Sequence, residues 1–195
     1  YPEEISVKPG ETQELEVSVI STGSPTGFYT IIANSSWIQP QTIKLKVEKF
    51  KSTSITLTIY PEKHHSILPG LYPIELLLYK EGTDIQKVKL IQVQILPFYE
   101  VSVSIDPIDI EVNPGDIGTF LVTIQNLGNM PDKYDIKLEA IDFGTLYKAI
   151  PTKIQDNWIT LSNTSLSLNP GEFTSIKMNM TIPRNWQGME AVSYT

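Results

Sequence analysis

The sequence predicts an all-β fold made of two β-sandwich domains in tandem. Three observations predict it. Apolar and polar residues alternate in one short run after another, a turn ending in Pro-Gly recurs four times, and the second half of the chain repeats the first. The turn stands as Val7-Lys8-Pro9-Gly10, Ile67-Leu68-Pro69-Gly70, Val112-Asn113-Pro114-Gly115 and Leu168-Asn169-Pro170-Gly171. Proline presets φ at the first corner, glycine accepts a positive φ at the second, and a strand departs.

The composition narrows the class. A chain of 195 residues suits two domains of about a hundred each. A hydrophobic share of 41% is enough for packed cores. The net charge of −7, with lysines spread along strands, argues against nucleic acid, because phosphate binding needs clustered Lys and Arg. No cysteine is present, which excludes a disulfide framework and a thiolate metal site. No apolar run approaches the roughly twenty residues that cross a bilayer. The chain opens on Tyr1 rather than Met, with no visible signal peptide, and reads as a piece of a longer protein.

Taken in order, Leu15, Val17 and Val19 alternate with polar residues, which predicts a strand with one buried face. Residues 21–27 are rich in Ser, Thr, Gly and Pro and predict a loop. Strands are expected at Phe28 to Ala33, through Ile43, Leu45 and Val47, and through Ile55, Leu57 and Ile59. After Pro69-Gly70, Tyr72, Ile74, Leu76 and Leu78 share a face, residues 80–84 form a hairpin loop, and Ile85 to Leu96 returns as a long last strand. No stretch here has the spacing of an amphipathic helix. Short strands at close, regular intervals argue for a sandwich.

Aligning Pro9-Gly10 with Pro114-Gly115 without a gap sets Leu15, Val17 and Val19 on Phe120, Val122 and Ile124, and Tyr29 and Ile31 on Tyr134 and Ile136. After an insertion the match resumes. Trp158-Ile159 answers Trp37-Ile38, the strand Thr174 to Ile182 answers Thr53 to Ile59, Pro183 answers Pro61, and Gly188 answers Gly70. The domains are accordingly placed at 1–97 and 98–195, with an insertion around 140–156 in the second.

The second copy carries a more specific pattern. Val112-Asn113-Pro114-Gly115-Asp116, the strand Val122-Thr123-Ile124-Gln125-Asn126 and the turn Leu127-Gly128-Asn129 resemble the opening of extracellular immunoglobulin-like modules of the NEW3 and CARDB kind. Leu168-Asn169-Pro170-Gly171-Glu172 and Ile182-Pro183 fit the same pattern, and Ser21-Thr22-Gly23 stands in for Asn-x-Gly in the first copy. The resemblance implies two tandem immunoglobulin-like β-sandwich domains. It also implies a setting in archaeal or bacterial surface proteins, or beside secreted hydrolases.

Laying the copies side by side adds two expectations. The first copy has a hairpin and a last strand after Gly70, whereas the second reaches Thr195 soon after Gly188 and so lacks its last strand. Either the natural chain continues, or a neighbouring chain donates that strand, since an open edge invites pairing. The insertion carries Phe143, Leu146, Tyr147 and Ile150, with Leu146 and Ile150 at helical spacing before Pro151. These four are the candidate binding residues, because recognition tends to be built in loops on a rigid scaffold; the competing reading is that they close the end of the sandwich. The linker Pro97-Phe98-Tyr99-Glu100 is short and aromatic and predicts a fairly fixed relation between the domains.

Other candidates carry weaker chemistry. His64 and His65 are the only histidines, and neighbours on an extended chain point apart, so they predict exposed loop residues rather than a metal site. Asp106, Asp109 and Glu111 lack the Asp/Asn/Gly loop of a calcium site. Trp37 and Trp158 could stack on sugars, but matched packing explains them more simply. No G-x-S-x-G, H-E-x-x-H or glycine-rich phosphate loop is present. Asn34, Asn163 and Asn179 begin N-glycosylation sequons, and Asn179 and Thr181 should face solvent because Ile176, Met178, Met180 and Ile182 share the other face.

These readings converge on a non-catalytic structural or adhesion segment of a cell-surface or secreted protein. It would act as a stiff spacer or a scaffold that presents a face to a partner. The expected partner is a protein or a cell-envelope component. No cofactor or metal is expected, and membrane contact would come only through a segment outside this stretch. The alternatives are an accessory, substrate-positioning region of a secreted glycosidase or protease, and a chaperone-like module that captures a strand.

Overall fold

The computed structural model describes residues 3–84, 86–108, 110–138, 156–185 and 192–193. Among these the protein is all-β, in several sheets, with one 3-10 turn at Asp156–Trp158. The chain divides into two compact units, residues 1–98 with 128–130, and residues 99–127 with 131–195.

The first unit contains β1 (Glu3–Val7), β2 (Gln13–Ile20), β3 (Gly27–Ala33), β4 (Ile38–Gln39), β5 (Thr42–Val47), β6 (Ser52–Ile59), β7 (Gly70–Lys80) and β8 (Gln86–Ile95). They form one sheet in the order β1-β8-β7-β3-β5 and another in the order β2-β6-β4. The alternation read from the sequence decides which side of each strand is buried. Leu15, Leu57 and Ile59 from one sheet and Ile31, Ile74, Ile91 and Val93 from the other belong to a single hydrophobic core. Each such side chain removed from water contributes roughly 1.5–3 kcal/mol before chain entropy is set against it. One strand was not legible in advance. β1 carries only Ile5 and Val7 as apolar residues, and runs parallel to β8, with Glu3 opposite Ile91 and Val7 opposite Ile95.

The second unit contains β9 (Val101–Asp106), β10 (Glu111–Val112), β11 (Ile117–Asn126), β12 (Asp132–Asp135), β13 (Ile159–Leu161), β14 (Ser165–Leu168), β15 (Phe173–Thr181) and β16 (Val192–Ser193). Here the sheets are β13-β15-β11-β9, β12-β14 and β10-β16. Val112, Phe120, Trp158, Met180 and Ile182 form one buried cluster, and Val122, Ile124, Leu168 and Ile176 another. β10 pairs antiparallel with β16, whereas the matching end of β1 pairs parallel with β8.

The ladders of the two units agree pair by pair. Leu15 lies opposite Leu57 and Phe120 opposite Met178. Tyr29 lies opposite Leu45 and Tyr134 opposite Leu166. Ile38 lies opposite Ile59 and Ile159 opposite Met180. These registers correct one detail of the alignment. Met180, not Ile182, takes the place of Ile59, and Ile182, not Pro183, takes the place of Pro61. Gly10 N–H donates to Pro61 O and Gly115 N–H donates to Ile182 O, each at 2.8 Å. The prolines matched as turn residues, but the side on which the apolar residues fall sets the register. Gly188 lies outside the described residues.

Three of the four Pro-Gly turns close as expected. Glu11, Asp116 and Glu172 N–H donate to Lys8, Asn113 and Asn169 carbonyls at 2.9–3.0 Å, with Gly10, Gly115 and Gly171 at positive φ. The fourth departs from the rule, because Gly70 is already the first residue of β7.

Tyr134, which matches Tyr29, carries a buried hydroxyl with no hydrogen-bond partner among the described residues. Burial, and then the Asp132 carboxylate, push its phenol above the usual range. Tyr134→Phe should therefore stabilise the protein by up to about 1 kcal/mol, since an unpaired buried hydroxyl is removed. The raised phenol also fixes the sign of the alkaline response. Its stabilising contribution is complete below the unfolded value near pH 10 and declines as the pH rises toward the folded value. Tm measured against pH should fall less steeply above about pH 10 for the Phe variant than for the parent chain.

Candidate functional site

Two surface depressions stand out in the first unit, and both grow from its sheet edges. β2 pairs with β6 and, among the described residues, is the edge of its sheet. Leu15 and Val19 are buried and Val17 is half-buried, while Glu14, Glu16, Ser18 and Ile20 face outward. Between β2 and β8 lies a groove of about 320 Å³. Glu16, Val17 and Val19 form one wall, Ile31, Leu76 and Ile91 contribute apolar surface, and the exposed Lys87 and Lys89 stand on β8. A backbone edge beside an apolar trough has two means of holding an extended chain, hydrogen bonds along the strand and pockets for alternate side chains.

The second depression, about 290 Å³, is lined by Trp37, Tyr60, Gln39, Glu62, Ser36 and Ile67. Trp37 is half-buried and meets the Tyr72 ring edge-on, with centroids 5.1 Å apart and planes at 67°. Tyr72 is held in turn by donating its hydroxyl to Leu68 O at 2.8 Å. Tyr60 is 43% exposed, so an aromatic face, an amide and a carboxylate share this cleft. Trp158, by contrast, is buried in the second unit.

The residues singled out from the sequence fall in different places. Phe143, Leu146, Tyr147 and Ile150 lie outside the described residues, as does Asp109. Asp106 and Glu111 are exposed. Asn34 is exposed at the end of β3, where its side-chain oxygen accepts the Glu75 N–H at 2.8 Å. Asn163 is exposed and accepts the Ser165 N–H at 3.1 Å. Asn179 is half-buried on β15 and accepts the Thr119 hydroxyl at 3.0 Å, while Thr181 is exposed.

His64 is exposed and His65 half-buried, but their rings do not point apart. Their centroids are 4.1 Å apart, and His64 Nδ1 lies 2.7 Å from the Ser66 hydroxyl. The extended-chain argument fails because the segment turns here, with Ile67 N–H donating to His64 O at 3.1 Å. Among the described residues no three His, Asp or Glu side chains gather to hold a metal ion.

Two buried asparagines were legible only as turn residues. Asn126 donates to Leu168 O at 3.0 Å. Ser21, at the matching end of β2, is likewise buried and donates to Ser24 O at 3.1 Å. Asn129 is fully buried in the first unit, where it accepts the Phe98 N–H at 2.8 Å and donates to Ile67 O at 2.9 Å and Leu96 O at 3.3 Å.

No family model matches the sequence, and no curated protein matches it. Solved structures with some likeness include a protein of unknown function from Porphyromonas gingivalis W83. It is 12% identical, with 90% of this chain and 77% of that chain covered and a TM-score of 0.34. The class 5 fimbriae chaperone CfaA is 13% identical, with 99% and 95% covered and a TM-score of 0.33. The CsuC–CsuE chaperone–tip adhesion subunit pre-assembly complex from archaic chaperone-usher Csu pili of Acinetobacter baumannii is 10% identical, with 98% and 97% covered and a TM-score of 0.39.

Proposed function

We propose that the chain is a pair of tandem immunoglobulin-like β-sandwich modules of the NEW3 and CARDB kind. In this reading it serves as a non-catalytic spacer or partner-presenting scaffold in a cell-surface or secreted protein. The supporting observation is the pairwise agreement of the ladders, Leu15–Leu57 with Phe120–Met178 and Tyr29–Leu45 with Tyr134–Leu166. A module repeated in register adds length and presents turns and edges without changing its core. The sequons at Asn34, Asn163 and Asn179 accord with a surface setting.

A stiff spacer holds its modules at one distance. The chain has no cysteine, so Lys46→Cys and Lys177→Cys, both at exposed strand positions, give one spin label in each unit. A single narrow inter-label distance is expected in the full chain; a broad distribution would overturn the spacer reading.

The cleft of Trp37, Tyr60, Gln39 and Glu62 favours the second reading, an accessory region that positions the substrate of a secreted glycosidase. Quenching or shift of Trp fluorescence on titration with oligosaccharides, lost in Tyr60→Ala, is the result this reading requires.

A further inference from the structure

The cleft beside Trp37 is shaped by the strand period of the residues around it. Ile38 lies opposite Ile59 in the ladder, and both are fully buried, as is Pro61. Gln39, Tyr60 and Glu62 alternate with them and are exposed, so an amide, a phenol and a carboxylate stand on the outer side. Hydrogen bonds hold the walls in place. Tyr60 N–H donates to Trp37 O at 2.7 Å, and Trp37 N–H donates to the Ser35 hydroxyl at 3.2 Å. Ile67 O accepts from the Asn129 amide at 2.9 Å. Walls fixed in this way need little ordering when a ligand enters.

Charge then separates the ligands that the cleft can take. Among the described residues, Glu62 is the only charged side chain that lines it. The next residue, Lys63, holds its ammonium over the Phe98 ring, 5.8 Å from the centroid. Aromatic faces attract an ammonium group and a carboxylate pairs with it, whereas an acidic sugar would meet Glu62 with like charge. We propose that the cleft binds an amino sugar with a free amine, as one ring of a glycan. The apolar side of the ring lies on Tyr60 and Trp37, its ammonium beside Glu62, and its hydroxyls near Gln39 and Ser36. A volume of about 290 Å³ suits such a small ligand. This names the substrate class for the accessory, substrate-positioning reading, and rests on that reading.

The cleft is also separate from the edge of β2. A strand placed on β2 as β9 is placed on β11 would run beside residues 16–21. That is the other end of β2 from Gln13, whose partner Ile59 adjoins the cleft, so the cleft would stay open.

The test uses the full chain and tetrasaccharides of glucosamine, N-acetylglucosamine and glucose, which share one linkage and differ only in the group at the second carbon. Kd is read from Trp fluorescence and from amide chemical shifts, at a pH where the sugar amine is protonated. The glucosamine tetramer should bind about fivefold more tightly than the other two, with shifts centred on residues 36–39 and 60–67. Glu62→Gln keeps the shape of the side chain. It should remove that margin and leave the two neutral tetramers within about twofold of their original Kd. Tyr60→Ala should weaken all three. Equal binding of the three would overturn the amino-sugar inference and leave the accessory reading standing, whereas binding of none would remove both, so the two failures are distinguishable. A preference that survives Glu62→Gln, or equal binding of tetralysine at the same residues, would also overturn the inference. Either result would assign the preference to the net charge of −7 rather than to the cleft.

Discussion

Replacing Asn129 with alanine should lower the stability of the first unit by about 2–4 kcal/mol, read by urea unfolding of the full chain. The side chain is 0% exposed and bonded at both ends of its amide, to the Phe98 N–H and to the Ile67 and Leu96 carbonyls. Truncation leaves three backbone groups without these partners, and an unpaired buried donor or acceptor costs about 1–3 kcal/mol. The sum is not reached if water enters or the loop relaxes, hence the lower range. Asn129→Asp separates hydrogen bonding from volume. Its carboxylate is nearly isosteric and still accepts from Phe98, but it points negative charge at two carbonyl oxygens and has no proton to donate. It should therefore be more damaging than alanine at pH 7, and should recover part of the loss once acid protonates the carboxyl. An alanine variant within about 0.5 kcal/mol of the parent would show that this network contributes little.

Asn129 also shows where sequence reasoning reached its limit. The stretch Asn126-Leu127-Gly128-Asn129 is legible as the end of a strand and a turn, and β11 does end at Asn126. Hydrogen bonding at Asn129 is decided by groups about 30 and 60 residues away in the chain, and no local pattern records them. The same division holds elsewhere. Alternation at Leu15, Val17 and Val19 announces a strand and its buried face, but that β2 is an edge follows from which strands pair, a long-range property. β1 and β9 escaped notice for a related reason. β1 is short, and every residue of β9 is exposed, so the buried-face pattern that betrays a strand had little to act on. The candidate groove was thus half legible, its residues visible and its open side not. The cleft at Trp37 and Tyr60 brings together residues from separate segments, and only the tryptophan was conspicuous beforehand.

Gly118→Ala should cost the second unit about 1–3 kcal/mol, and the reason is volume rather than backbone freedom. Gly118 sits within β11 opposite Met180, itself almost fully buried, and is absent from the positive-φ glycines. A Cβ at this position would collide with Val112 Cγ2 and lie 3.3 Å from Ile110 Cδ1. Val112 is packed in the cluster with Phe120, Trp158, Met180 and Ile182, so it has little room to retreat. The matching residue in the first unit is Gln13, whose side chain is exposed, so the glycine answers to packing peculiar to the second unit. A double-mutant cycle makes this decisive. Val112→Ala alone should destabilise by leaving a cavity. Combined with Gly118→Ala it should cost less than the two single losses added together, with a favourable coupling of about 0.5–3 kcal/mol, because each change makes room for the other. Strict additivity would mean that the alanine is accommodated elsewhere, and that the close approach of β10 to β11 does not set the size of residue 118.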